Sequence, residues 1–398
     1  MVGEYVHLKI LLLDNSHLPI VGGKEVVVHH LAREYKKRGH CVLLAGPGAY
    51  WTHRNFSAGY PIQRFPTLPL ISYEKSTVWQ TKNVLKRNQF DIVHAHTTYP
   101  NTFSAARAID DLSLDLPLVV TPHGADIHKV PEINFGKRLD PVLDSKIKWA
   151  LTQCHYATSI SKSVTDSLID AGMNGTHIAP IPNGVDVERF SSPVDLNARE
   201  LLGIPQDAKF FVSIGNGHPR KGHNFLIDAI AKLSSADSTP HLVLIGHGLK
   251  KAKQQVIQRN VQKYVHVLGG LPYPIPGTEY TDTLAALLQQ STGYVSASVG
   301  EGSEGLSLAL LEAMATETAI VATSVSGNRD IVRDGKNGLL VNPGSEILLA
   351  EAMNQLCTNT ARRNSLANAA LLSVQKFSWG NIATQYLDLF GKLTKGGK

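Results

Sequence analysis

Glu304 and Glu312 lie eight residues apart at the two ends of the segment EGLSLALLE. A carboxylate accepts hydrogen bonds and donates none, so each can hold a pair of hydroxyl groups. Between them Leu306, Leu308, Leu310 and Leu311, with Ala309 and Ala313, make a strong helix-forming run, and Gly305 stands where the predicted helix opens. The first N–H groups of such a helix, at Gly305, Leu306 and Ser307, are unpaired and can face an anion. At about 1.5 Å rise per residue, Glu312 is predicted roughly 12 Å beyond Glu304 and on the same broad side. That spacing suits an extended, polyhydroxylated ligand with a phosphate at the helix start. The alternative reading of two glutamates on a helix is an ordinary solvated face.

The residues beyond Glu312 favour the ligand-binding reading. ETAIVATSV reads as a helix stop and a buried strand, then come SGNRDIV, the turn DGKNG, the strand LLV and the loop NPG. From Glu301 to Gly344 the chain resembles the C-terminal signature of the retaining glycosyltransferases of the glycogen-synthase-like superfamily, called group 1 or family 4. That resemblance implies an α/β architecture of GT-B type, two Rossmann-like domains facing a central cleft.

The elements that must position these residues alternate accordingly. HLKILLL reads as a strand and KEVVVHHLAREYKKRG as a helix ended by Gly39; CVLLA, DIVHAH, PLVVT and YATSIS are further strands. After APIPNGVDVERF the pattern restarts with the strand KFFVSIG, the helix KGHNFLIDAIAKL, and the strands HLVLIG and YVHVLG. Strand–helix alternation of this kind implies parallel sheets covered on both faces, with ligands at the carboxyl ends of the strands. The expected division is residues 1–190 for the N-terminal, acceptor-side domain, 191–206 for a linker, 207–375 for the donor-side domain, and 376–398 for a helix returning to the first domain.

The resemblance extends along nearly the whole chain. Gly22 and Gly23 match the family's glycine pair, where a bare backbone can approach a phosphate or sugar; HAH at His94–His96, TPHG at Thr121–Gly124 and PNGVD at Pro182–Asp186 also match. It implies that His123 faces the donor sugar, that Glu304 grips donor hydroxyls and Glu312 the ribose, and that Gly269 to Leu271 border the base. His94 and His96 are expected as strand-end packing or acceptor-side residues, and His29 and His30 as helix surface. Asp186 and Glu188 read as structural.

A departing nucleoside diphosphate needs its charge stabilised, and no acidic triplet suited to a divalent metal stands at a strand end. Cationic side chains must serve. The segment SIGNGHPRKG offers Arg220 and Lys221, but Asn216 stands where the family pattern has an arginine, so a bidentate cationic contact is missing there. Either Arg220 compensates, or Lys221 and the helix start at Gly305 hold the phosphate alone. Leu306 and Asp330 are smaller departures, and GGLPYPIPGTEYTD is longer and richer in proline than the usual loop.

In the family's usual account the acceptor attacks on the face the diphosphate leaves, so no protein nucleophile is needed. The expectation is therefore a metal-independent retaining transferase without cofactor, taking a nucleotide diphosphate sugar as co-substrate and a saccharide or lipid-linked glycan as acceptor, in cell-surface polysaccharide or glycoconjugate synthesis. A catalytically silent nucleotide-sugar-binding subunit is the alternative. A dinucleotide oxidoreductase is disfavoured, because GNGHPRKG and GHGLKK lack the third glycine of G-x-G-x-x-G.

Composition sets wider bounds. A chain of 398 residues, 43% hydrophobic and 18% charged, is globular and long enough for two domains. No apolar stretch approaches the roughly 18 to 20 residues that span a bilayer, and Glu4 and Lys9 interrupt any signal-like core, so a cytoplasmic location is expected. The net charge of +6 comes from scattered residues, which disfavours nucleic acid while suiting an anionic nucleotide or peripheral contact with anionic lipid at the inner face of the membrane. Cys41, Cys154 and Cys357 are expected to be buried and reduced.

Overall fold

The computed structural model describes residues 7–47, 58–66, 71–234, 239–274, 280–302 and 304–395. Glu4 and residues 275–279 of the proline-rich loop lie outside them. The chain divides into two compact units, Met1–Asn183 with Trp379–Lys398, and Gly184–Ser378.

Unit 1 carries the strands β1 (Lys9–Leu13), β2 (Cys41–Gly46), β3 (Ile62–Arg64), β4 (Ile92–His96), β5 (Leu118–Thr121), β6 (Tyr156–Ser159) and β7 (Ile178–Pro180). They form a parallel sheet in the order β3-β2-β1-β4-β5-β6-β7. Unit 2 repeats the plan with β8 (Phe210–Ile214), β9 (His241–Ile245), β10 (Val265–Leu268), β11 (Gly293–Ser296), β12 (Ile320–Thr323) and β13 (Leu339–Val341), in the order β10-β9-β8-β11-β12-β13. β4, β9, β11 and β12 are buried along their whole length. That explains why β11, β12 and most of β9 read as apolar or small-residue runs, while β4 carries the buried His94 and His96. In each sheet the strand order reverses once, between β1 and β4 and between β8 and β11, and such reversals open crevices at the carboxyl ends of the strands.

The helix Gly23–Lys37 buries Val27, Val28, Leu31 and Tyr35. His29 and His30 are not surface residues: they are 1% and 6% exposed. His29 hydrogen-bonds the Tyr60 hydroxyl at 3.0 Å, and the His30 ring stacks on Trp379 at 4.9 Å. For His30 the cover is a second layer, which strand–helix alternation does not reveal. It is the terminal helix Trp379–Lys395, whose Phe390 packs on Tyr35 at 5.8 Å.

A first short helix, Val187–Ser191, ends where the expected linker begins, and a second, Ala198–Leu202, lies within it. Asp186 caps the first by accepting from the Arg189 N–H at 3.1 Å, which gives the PNGVD loop its structural role. The three thiols are free, but only Cys154 is buried; Cys357 is half-buried, and Cys41, opening β2 at its exposed end, lies at the surface.

Candidate active site

In unit 2 the reversal point gathers charge. After β8 the chain passes Gly215 and Asn216 into a single 3₁₀ turn, Pro219–Lys221, then through left-handed Gly222 (φ +65°) into the helix His223–Leu233. A side chain at Gly222 would strike the carbonyl of Ala297 just beyond β11, so glycine permits both the turn and the close approach. The Arg220 carbonyl accepts from Val299 N–H at 2.8 Å, tying this turn to the loop that follows β11.

Glu304 closes the group from that loop. Its Oε1 accepts from Lys221 Nζ at 2.5 Å, Arg220 Nη1 at 3.1 Å and Ser298 Oγ at 2.5 Å. Glu304 is 5% exposed. Burial alone would raise its carboxyl, but Lys221 and Arg220, with the hydrogen bonds of Lys221 and Ser298, outweigh that and hold it below the ordinary carboxylate range. Two cations on one buried carboxylate make an assembly that can accept further negative charge, because only one of the two positive charges is neutralised.

This corrects the expectation of separate stations along one helix. The helix is Leu308–Ala315, with Ser307 at its N-cap and no side-chain cap bond, so Glu304, Gly305 and Leu306 belong to the loop before it. Left-handed Gly327 (φ +81°) presses on the carbonyl of Gly305, where a β-carbon would clash. The preceding backbone is thereby held out of the helix. The spacing of Glu304 and Glu312 is consequently not set by helical rise.

Glu312 does lie on the helix, whose Leu310, Leu311, Ala313, Met314 and Ala315 are fully buried. It accepts no side-chain hydrogen bond among the described residues. Burial raises its carboxyl to about 7, Arg189 opposing and Asp282 adding to the shift. Arg189 pairs in bidentate fashion with Asp282, at 2.6 and 3.1 Å, and lies 5.1 Å from the ring centre of Tyr273. The loop that starts at Gly269 and Leu271 thus converges at Tyr273 and Asp282 on the same arginine that acts on Glu312. The Gly269 carbonyl itself accepts from Gly246 N–H at 3.3 Å. Asn216 is exposed, and its Oδ1 accepts from His218 N–H at 3.3 Å, a loop-shaping contact.

In unit 1 Gly22 and Gly23 form the N-cap and first residue of their helix. Next to them Lys24 Nζ pairs with the fully buried Asp14 and lies 3.0 Å from Asn15 Oδ1. His123, half-buried after β5, hydrogen-bonds His96 Nδ1 through its Nε2 at 3.1 Å, and its N–H donates to Asp126 Oδ1 at 2.8 Å. His94 and His96 are fully buried at the end of β4. Burial holds all three imidazoles neutral, pulling His94 down to about 3 and His123 to about 4, and His96 well below its usual value.

Ser298, Arg189, Asp282, Asp126 and Gly327 escaped the sequence reading. Asp126, three residues past His123 in HGAD, carried a local signal; Ser298 meets Glu304 across a fold of their shared loop, and Gly327 meets Gly305 on a different loop. Among the described residues no group of three or more His, Cys, Asp or Glu side chains could hold a metal ion, and no helix is long and apolar enough to cross a membrane.

Two parallel doubly wound sheets of this order define an α/β protein of GT-B type, and solved structures agree. The chain superposes on Anabaena Alr3699/HepE in complex with UDP-glucose with a TM-score of 0.77 over 97% of this chain and 100% of that one, at 21% identity. WaaG, a glycosyltransferase involved in lipopolysaccharide biosynthesis, gives 0.74 over 96% and 99%, at 17% identity. Residues 195–372 match the family "Glycosyl transferases group 1" and residues 21–189 match "Glycosyltransferase Family 4"; the chain belongs to the group 1 glycosyltransferases. Its curated relatives include the phosphatidyl-myo-inositol mannosyltransferase of Mycobacterium tuberculosis, 26% identical with 98% of both chains covered. The N-acetyl-alpha-D-glucosaminyl L-malate synthase of Bacillus anthracis is 24% identical, with 96% of both covered. The protein is a sugar-transferring enzyme.

Proposed function

We propose that this enzyme moves a sugar from a nucleotide diphosphate sugar to a hydroxyl of a saccharide or lipid-linked acceptor, with retention at the anomeric carbon and without a metal ion, in the making of a cell-surface polysaccharide or glycoconjugate. The observation that carries the reading is the convergence of Lys221, Arg220 and Ser298 on the buried Glu304 at the carboxyl end of β11.

Lys221 and Arg220 hold the diphosphate and neutralise the charge that grows on it as the sugar bond breaks. Arg220 takes the place of the arginine that Asn216 lacks. Glu304, polarised by the two cations, accepts from donor-sugar hydroxyls, and the backbone N–H groups of Gly305, Leu306 and Ser307 add uncharged donors to phosphate oxygens. Glu312 accepts from the ribose hydroxyls, which would give it the hydrogen bonds it lacks among the described residues. Gly269 and Leu271 border the base. In unit 1 Gly22 and Gly23 expose backbone to a phosphate or sugar, and His123 meets a sugar hydroxyl. The proposed location is the cytoplasm at the inner face of the membrane, where the chain's positive charge favours anionic lipid.

Support for the donor class comes from relatives whose names describe transfer of mannose or N-acetylglucosamine and from a neighbour solved with UDP-glucose. The test is a thermal-shift screen of the purified protein with UDP-, GDP- and ADP-sugars, followed by product analysis with the stabilising donor. One donor should raise Tm, since ligand bound to the native state alone stabilises by mass action, and its sugar should appear in an α-linked product. No stabilisation by any of the three classes, or inversion of configuration, would contradict the proposal.

A further inference from the structure

We infer that His96 is a positioning residue that holds His123 in the tautomer protonated at Nδ1, so that His123 presents a hydrogen-bond donor and not a base. What that donor meets rests on the function proposed above; the tautomer itself does not.

The contact between His96 Nδ1 and His123 Nε2, at 3.1 Å, needs one proton between the two nitrogens. Two arrangements satisfy it. If His123 donated, the neutral His96 ring would carry its own proton on Nε2, and that atom is buried with no hydrogen-bond partner among the described residues. Burying an N–H without an acceptor costs about 1–3 kcal/mol, and orphaned donors are rarer in native structures than under-satisfied acceptors. If His96 donates from Nδ1, its buried Nε2 is a bare lone pair, and His123 must carry its proton on Nδ1. The second arrangement is favoured. His123 Nδ1 makes no hydrogen bond among the described residues, so its proton is available to a ligand.

The surroundings fix both rings. Thr97, directly after His96, holds φ at +79°, strained for a β-branched residue and tolerated where the structure over-determines it. Its N–H donates to the Thr121 carbonyl at 3.0 Å, and Asn101 Nδ2 donates to the His96 carbonyl and to Thr97 Oγ1. Asp126 bridges the two strand ends, accepting from His123 N–H at 2.8 Å and Thr98 N–H at 2.7 Å. On the other side the His94 ring lies 4.3 Å from that of His96. Its Nε2 contacts Thr121 Oγ1 at 2.7 Å while its Nδ1 is buried without a partner, so His94 is by the same logic an Nε2 donor.

Long-range ¹H–¹⁵N NMR of the full-length protein at neutral pH reads the tautomer without substrate, the His123 signals being assigned by their loss in His123→Gln. The expected spectrum has His123 Nδ1 protonated and Nε2 bare. His96→Asn, whose amide can donate from near the Nδ1 position, should keep that signature and lower transfer less than tenfold. His96→Leu should lose the signature and lower kcat about 10²-fold, the scale of one misplaced catalytic hydrogen bond. A wild-type His123 protonated at Nε2, or a His96→Leu protein that keeps the Nδ1 signature, would overturn the inference. Absence of transfer from every nucleotide sugar would strike the proposed function and leave the tautomer result standing.

Discussion

The two units share one plan and use it with opposite electrostatics. At the reversal point of the second sheet, two cations and a carboxylate are drawn together, and Glu304 stays ionised in spite of its burial. Beside the reversal point of the first, the buried His94 and His96 and the half-buried His123 are held neutral, tied to the Thr121 hydroxyl, to one another and to a bridging Asp126. A topology that brings strand ends together therefore specifies where a site can form and not what it does. Charge suits a ligand that arrives as an anion; neutral donors suit hydroxyls, whose recognition depends on direction more than on field.

The largest effect should come from removing the carboxylate that organises the charged group. Glu304→Gln leaves Lys221 and Arg220 around a neutral amide, so transfer should fall by about 10³-fold, the upper end of the scale for one charge-stabilising group, while the circular dichroism stays native. Tm should also drop, because breaking one member of a buried ion pair costs up to about 3–5 kcal/mol. Wild-type turnover in this variant would remove Glu304 from the mechanism.

Next in size are the cations. Lys221→Ala and Arg220→Ala are each expected to slow transfer by about 10² to 10³, and Asn216→Arg to cost little or to raise the rate by restoring a bidentate contact. An Arg220→Ala enzyme at full speed in steady-state assays would show that the arginine does not compensate for Asn216.

Glu312 offers a subtler contrast, being a carboxylate whose proton is held too tightly rather than too weakly. Its native value near 7 exceeds that of the unfolded chain, so the folded state binds the extra proton and loses stability as pH rises from about 4.5 through 7. Glu312→Gln should therefore be more stable than wild type at pH 8, by about 1–3 kcal/mol, and nearly equal to it at pH 4.5. The same change should raise donor KM several-fold with kcat little altered, since the ribose is remote from the reacting carbon. Equal pH profiles in denaturant melts, or a fall in kcat at saturating donor, would refute this assignment. Smallest of all, EDTA is expected to leave the rate unchanged. Inhibition reversed by magnesium or manganese would move leaving-group chemistry from Lys221 and Arg220 to a metal.

The sequence made the alternation of strands and helices legible because the central parallel strands, buried on both faces, appear as short apolar runs between turns. It also marked Glu304 and Glu312 through their spacing, and Lys221, Arg220 and His123 through the resemblance to the group 1 glycosyltransferases. It did not reveal that Glu304 lies outside the helix: the leucines after it have high helix propensity, whereas Gly327 packs on Gly305 and Glu304 is tied to Lys221, Arg220 and Ser298, contacts that no local pattern shows. Ser298 and the Arg189–Asp282 pair were hidden for a related reason, because their roles come from contacts across 6 and 93 residues that no local pattern encodes. His29 and His30 were misplaced because helical periodicity says nothing of the covers that other segments supply, Tyr60 for His29 and Trp379 near the end of the chain for His30.

The central claim, that Lys221 and Arg220 hold the donor through its diphosphate, is tested most directly by calorimetric titration of the preferred nucleoside and its diphosphate into wild type and the Lys221→Ala, Arg220→Ala double variant. The diphosphate is expected to bind the double variant at least about 10²-fold more weakly, two lost charge-assisted contacts of about 1.5–3 kcal/mol each, while the nucleoside binds both proteins alike. Equal affinity of the diphosphate for the two proteins would contradict the claim.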